Sequence, residues 1–153
     1  MTLLEQIRKD RNKARKDGSK DRYDTLTVLL AESERVGKDK ENRDSTDAEV
    51  VQVVKKMISV CQDTIQLIEG TSEYPHIKEI IEKWNKEIVV YENYVPEQFS
   101  ETELILVINE IISIKELTQS KDMGIVMADL KLKYAGCYDG RMASNLARQM
   151  LSS

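Results

Sequence analysis

Apolar residues recur at steps of three and four along most of this chain, the period that gathers them on one face of a helix. Leu4, Ile7, Arg11 and Ala14 line one side of a predicted helix over Leu3–Lys16, which Gly18 and Ser19 end. Leu26, Leu29, Leu30 and Ser33 form the buried stripe of a second predicted helix, Lys20–Val36. Residues 37–45, GKDKENRDS, hold no apolar side chain and predict a solvated loop. Thr46 and Glu49 then stand in the Thr-x-x-Glu relation of a capping box, each side chain able to satisfy the other's orphan amide. That box opens a long helix to about Glu69, with Val50, Val53, Val54, Met57, Cys61, Ile65 and Ile68 facing inward. After a break at residues 70–75, a helix from Ile77 to about Asn93 packs through Ile77, Ile80, Ile81, Trp84, Ile88 and Tyr91. The many Val and Ile residues suit strands, but no two-residue alternation is sustained.

Val95-Pro96 marks a boundary, because proline disfavours helical geometry in the residue before it. Ser100 and Glu103 form a second capping box that starts a helix to about Leu117, with Ile105, Ile108, Ile112 and Leu117 as its apolar face. Met123, Val126, Met127, Leu130 and Tyr134 share a face of the next helix, while Lys131 and Lys133 fall on its other side. Gly136 stops that helix and Asp139 caps a last one beginning near Gly140. There Met142, Ala143, Leu146, Ala147 and Met150 make the apolar stripe, and Arg141, Asn145 and Arg148 make a polar one. Two helices this short cannot bury their own faces and need a third. The predicted class is therefore all-α: an N-terminal helical domain of about four helices over residues 1–95, then a small three-helix domain over residues 96–153.

Composition leaves that picture intact. A chain of 153 residues that is 41% hydrophobic and 33% charged can bury a good core. Its longest apolar runs, such as LILVI at 104–108, fall far short of the roughly 20 residues that span a bilayer. No membrane partner is expected. The opening MTLLEQIRKDRNKARKDG also lacks the apolar core of a secretion signal. Cys61 and Cys137 stand far apart, offering neither a redox pair nor a zinc knuckle, and suit a reducing cytoplasm.

Charge is uneven beneath a net value of -4. Residues 1–46 hold 12 basic and 10 acidic side chains, residues 47–120 hold 6 and 14, and residues 121–153 hold 5 and 3. A mildly basic first helix and a mildly basic C-terminal hairpin thus flank an acidic middle, which permits a local polyanion contact but not a surface coated for nucleic acid. Chemistry is harder to find. His76 is the single histidine, beside Pro75, with no nucleophile at a spacing it could serve. The carboxylates form no metal-ligand motif, and Gly136 with Gly140 matches neither phosphate loop nor dinucleotide fingerprint. The expectation is a non-enzyme that carries no cofactor and no metal.

Three phrases carry a family resemblance: YVPEQFSETEL at 94–104, KDMGIVM at 121–127 and GCYDGR at 136–141. Leu4-Glu5, Asp10, Ala14, Lys20, Arg22 and Thr25-Leu26 fit the same pattern. In their order and spacing these resemble the YqeY family, which is similar to the tail domain of the GatB subunit of tRNA-dependent amidotransferases. The resemblance implies an all-helical protein with a small C-terminal three-helix part. In GatB the corresponding tail helps engage tRNA, while the ammonia-transfer chemistry belongs to a different domain.

Two functions follow as expectations. In the first, the C-terminal unit meets the sugar-phosphate backbone of a folded RNA, tRNA first among candidates, through Lys121, Lys131, Lys133, Arg141 and Arg148. Gly136 and Gly140 would let backbone approach that ligand, although a helix stop and a helix start explain both as well. In the second, the chain is a protein-binding adaptor without RNA contact. It would dock on a synthetase, an amidotransferase or another RNA-handling protein through its acidic helices or an exposed apolar stripe.

Overall fold

The computed structural model describes residues 1–70 and 76–152. Seven helices are present among them, and no strand: α1 Leu3–Lys16, α2 Lys20–Glu41, α3 Asp47–Glu69, α4 Ile77–Glu92, α5 Glu101–Ile114, α6 Met123–Lys133 and α7 Gly140–Ser152. The all-α class is thus the observed one. Of the break expected at 70–75, residues 71–75 lie outside the described residues. By their contacts the helices divide into two compact units, Met1–Val95 and Pro96–Ser153.

Reciprocal capping starts three of the seven helices. Thr2 with Glu5, Thr46 with Glu49 and Ser100 with Glu103 each form the complete box, satisfying two orphan amides apiece. In the first unit Leu4, Ile7 and Ala14 of α1 meet Leu26, Leu29 and Leu30 of α2, Val50 and Val54 of α3, and Tyr91 and Tyr94 at the end of α4. The Leu3 amide donates to Asp47 Oδ1 at 2.9 Å, tying the starts of α1 and α3. Tyr94 is buried and its hydroxyl donates to Asp10 Oδ2 at 2.6 Å, fixing the last turn of this unit to α1. Burial, and then that bond, raises the Tyr94 hydroxyl well above the usual tyrosine range.

Helix α2 differs from its sequence expectation. It runs past Val36 to Glu41, so the first half of the predicted loop 37–45 is helical. The i,i+4 pairs Glu34–Lys38 and Arg35–Asp39 support the extra turn, and Asn42 ends it in the left-handed conformation at φ 53°. Absence of apolar residues marks a solvated turn, but not whether that turn is helical. Nor is the segment wholly solvated, since Gly37 and Ser45 are buried. The Gly37 amide donates to Ser45 Oγ at 2.8 Å, and the same hydroxyl donates to the Ser33 carbonyl. Ser45 thereby bridges two groups that an uninterrupted helix joins directly.

The second unit has its own core: Leu104, Ile108 and Ile111 of α5, Val126 and Leu130 of α6, and Ala143, Leu146, Ala147 and Leu151 of α7. Here too the expected faces need correction. Ile105 lies exposed while Leu104 and Ile111 are buried, and α5 stops at Ile114 rather than Leu117. In ELILVINEIISI apolar residues fill eight of the twelve positions and fall on nearly every side of the helix, so periodicity cannot choose a face. Packing against α6 and α7 chooses it. Met142 and, in the first unit, Ile80 likewise sit at the exposed edge of their stripes.

Candidate functional site

The turn between α6 and α7 is built from its backbone outward. Gly136 has φ +80°, where a side chain would be strained, so its place as the turn's left-handed residue is a conformational need. Two carbonyls of this turn are engaged by the segment before α5. Gln98 Nε2 donates to Gly136 O at 2.6 Å, and the Phe99 amide donates to Cys137 O at 2.7 Å. Phe99 meets Tyr134 edge to face, ring centroids 5.2 Å apart, and Tyr138 packs partly buried on the same core. Burial raises the Tyr138 hydroxyl pKa. Gly136 is therefore a fastening point of the unit before it is anything else. Gly140 is the first residue of α7 and faces open space.

All three acids of residues 121–153 have internal duties. Asp122 Oδ2 accepts the Thr118 and Gln119 amides at 3.3 and 3.1 Å, closing the one-turn 3-10 helix Ser120–Asp122 before α6. Asp139 Oδ1 accepts the Met142 amide at 2.8 Å and so caps α7, as its position predicts. Asp129 is buried on the inner face of α6, only 8% exposed. Lys133 Nζ lies 3.3 Å from its Oδ2 and Lys115 Nζ 3.9 Å from its Oδ1. Asp129 Oδ2 nevertheless has no hydrogen bond, so the Lys133 contact is an ion pair off the hydrogen-bonding angle.

The basic candidates divide accordingly. Lys133 is held by Asp129, a pairing that the i,i+4 spacing already offers to the eye. Lys121 is exposed on the 3-10 turn, Lys131 on α6, and Arg141 and Arg148 share an exposed face of α7 with Asn145. None of these four cations forms a salt bridge among the described residues. No group of metal-ligating side chains occurs among the described residues, and no helix there is long and apolar enough to cross a membrane. His76 stands exposed just before α4, its Nδ1 3.5 Å from Glu79 Oε2.

Two features escape the sequence pattern. Between α2 and α3 of the first unit lies a groove of about 630 Å³ floored by Val36, Val53, Met57, Val60 and Tyr91. At its edge Glu49 collects three partners. Arg43 reaches it through both terminal nitrogens, at 2.9 and 3.0 Å, and Lys40 at 2.9 Å, while the Thr46 amide caps it at 2.9 Å. The Arg43 fork first, then the Thr46 amide and Lys40, hold this carboxyl far below the usual range, and Arg43 is raised in return.

An all-α protein of two separately cored units, with outward cations on its C-terminal hairpin, is the class that these observations define. A family model described as "Yqey-like protein" matches residues 4–151, nearly the whole chain. The chain belongs to the YqeY-like family. No curated protein matches it.

Proposed function

We propose that this protein is a non-catalytic cytoplasmic binding module for folded RNA, with tRNA as the leading ligand. It meets the sugar-phosphate backbone through Lys121, Lys131, Arg141 and Arg148. One observation carries the reading: in residues 121–153 each of the three acids is engaged as a cap or in an ion pair, with Asp129 buried, while four of the five bases are exposed and form no salt bridge among the described residues. The hairpin thus presents these four exposed cations beside one exposed carboxylate, Asp139, and such a field reads shape and charge rather than base identity. Similarity of the family to the tRNA-engaging tail of GatB points to the same ligand class. Lys133, tied to Asp129, contributes less than the four cations that form no salt bridge among the described residues.

The test is equilibrium binding of the full chain to bulk tRNA, against a DNA duplex of similar charge, across a salt series. The expected result is a preference for tRNA and a log-log salt slope that becomes shallower by at least about 1.4–1.8 in Arg141→Glu/Arg148→Glu, two phosphate contacts being lost. Absence of preference, or a slope untouched by the double substitution, rejects the hairpin as an RNA contact. A second reading, the adaptor, draws on the α2–α3 groove, whose apolar floor suits the apolar face of a partner helix from a synthetase, an amidotransferase or another RNA-handling protein. Binding to such a partner would vary little with salt.

A further inference from the structure

A larger concentration of exposed cations without a salt bridge among the described residues lies elsewhere, where α1 turns into α2. Of the eight basic side chains in residues 1–22, three have structural partners. Arg8 pairs with Glu34 at 2.6 Å, Arg11 stacks over the Tyr23 ring at 5.3 Å and donates to its hydroxyl, and Arg22 leans on Tyr94. Lys9, Lys13, Arg15, Lys16 and Lys20 are exposed and form no salt bridge among the described residues. Lys9, Lys13 and Lys16 follow one another at i, i+4 and i+7, a row about 10 Å long at the helical rise of 1.5 Å per residue. Arg15 and Lys20 border a hollow of about 200 Å³ with Ala14, Gly18, Ser19 and Tyr23. Nearby acids temper this field without cancelling it. Asp10 is occupied by Tyr94 and Gln6, and Asp17, Asp21 and Asp24 remain exposed among a larger number of bases.

We propose that this α1–α2 end is a second contact for the phosphodiester backbone of a folded RNA, separate from the C-terminal hairpin. A row of cations suits a repeating polyanion better than a single phosphate, which needs donors converging on one point. An anionic membrane fits less well. Interfacial helices bury an apolar face in lipid, whereas α1 spends Leu4, Ile7 and Ala14 on the protein core, and no large apolar side chain is exposed between residues 2 and 27.

The proposal shares its ligand class with the reading above, so the experiment lets either surface fail alone. Salt-dependent binding to bulk tRNA is measured for the full chain, for Lys16→Gln/Lys20→Gln, for Arg141→Gln/Arg148→Gln and for the fourfold variant. Binding to phosphatidylcholine vesicles with and without phosphatidylserine is measured in parallel. These substitutions touch exposed side chains that form no salt bridge among the described residues, and circular dichroism checks that helix content is kept. The expected result is a slope about 1.4–1.8 shallower for Lys16→Gln/Lys20→Gln, with the two doubles adding in the fourfold variant. A slope unchanged by Lys16→Gln/Lys20→Gln but reduced by Arg141→Gln/Arg148→Gln overturns the second contact and leaves the hairpin standing. The reverse pattern keeps the α1–α2 contact and removes the hairpin. No tRNA binding at all overturns both, whereas phosphatidylserine-dependent vesicle binding lost in Lys16→Gln/Lys20→Gln without a tRNA effect overturns the α1–α2 contact alone.

Discussion

Gly37 shows how one missing side chain shapes the first unit. A Cβ built there would stand 2.6 Å from the Arg43 carbonyl oxygen and the Ser45 amide nitrogen, and 2.7 Å from the Asp44 carbonyl carbon. All are backbone atoms and cannot swing aside. Alanine is the better helix former by about 1 kcal/mol, so propensity alone predicts that Gly37→Ala stabilises the protein. The close approach predicts the reverse, a loss of about 1–3 kcal/mol in chemical denaturation, because the 42–45 segment must move and take Ser45 with it. Glu49 yields a second residue-scale expectation. Its carboxyl is depressed in the folded chain, so the stability it contributes is present above the unfolded value near pH 4 and is lost as pH falls through the folded one. In melting curves taken across pH, Glu49→Gln should be less stable than the parent at pH 7. That gap should close progressively below about pH 4. A gap that is constant with pH would show that the Arg43 and Lys40 contacts contribute nothing through charge.

Helices whose polar and apolar residues separate cleanly are readable one by one. The buried side of α2 is the predicted Leu26, Leu29, Leu30 and Ser33, and α6 buries Val126 and Leu130 with Met123, Met127 and Tyr134 alongside. Helix α5 is the counterexample, because its apolar residues nearly encircle it. Its exposed side carries Leu106 at 64% and Ile114 at 69% exposure, whereas Ile108 is fully buried. Ile108→Ala should accordingly cost about 2–5 kcal/mol, and Leu106→Ala should stay within about 0.5 kcal/mol, both measured by urea unfolding followed through α5–α7 signals in NMR. Equal effects would mean that the assigned face is wrong. The capping boxes are the complementary case: Thr46 with Glu49 and Ser100 with Glu103 involve only residues three apart, so local sequence suffices to place both helix starts.

On the scale of the molecule, two cores that share no residue explain why sequence and structure divide the information as they do. The all-α class, most helix bounds and the caps were legible in the sequence, because each depends on side chains within one or two turns of one another. Most of the candidate site was legible as well: that Arg141, Asn145 and Arg148 lie outward on α7 follows from helical spacing alone. Only the tertiary structure decided the rest. It extended α2 to Glu41 through Ser45 and the left-handed Asn42, chose the buried face of α5, and opened the groove between α2 and α3. It also sorted the charges, setting Asp129 against Lys133 and Arg8 against Glu34 while Lys16, Lys20, Arg141 and Arg148 form no salt bridge among the described residues. The physical reason is common to all of these. Periodicity says which side chains share a face of one helix, but which face is covered, and which charge finds a partner, depends on the neighbouring helices that pack against it.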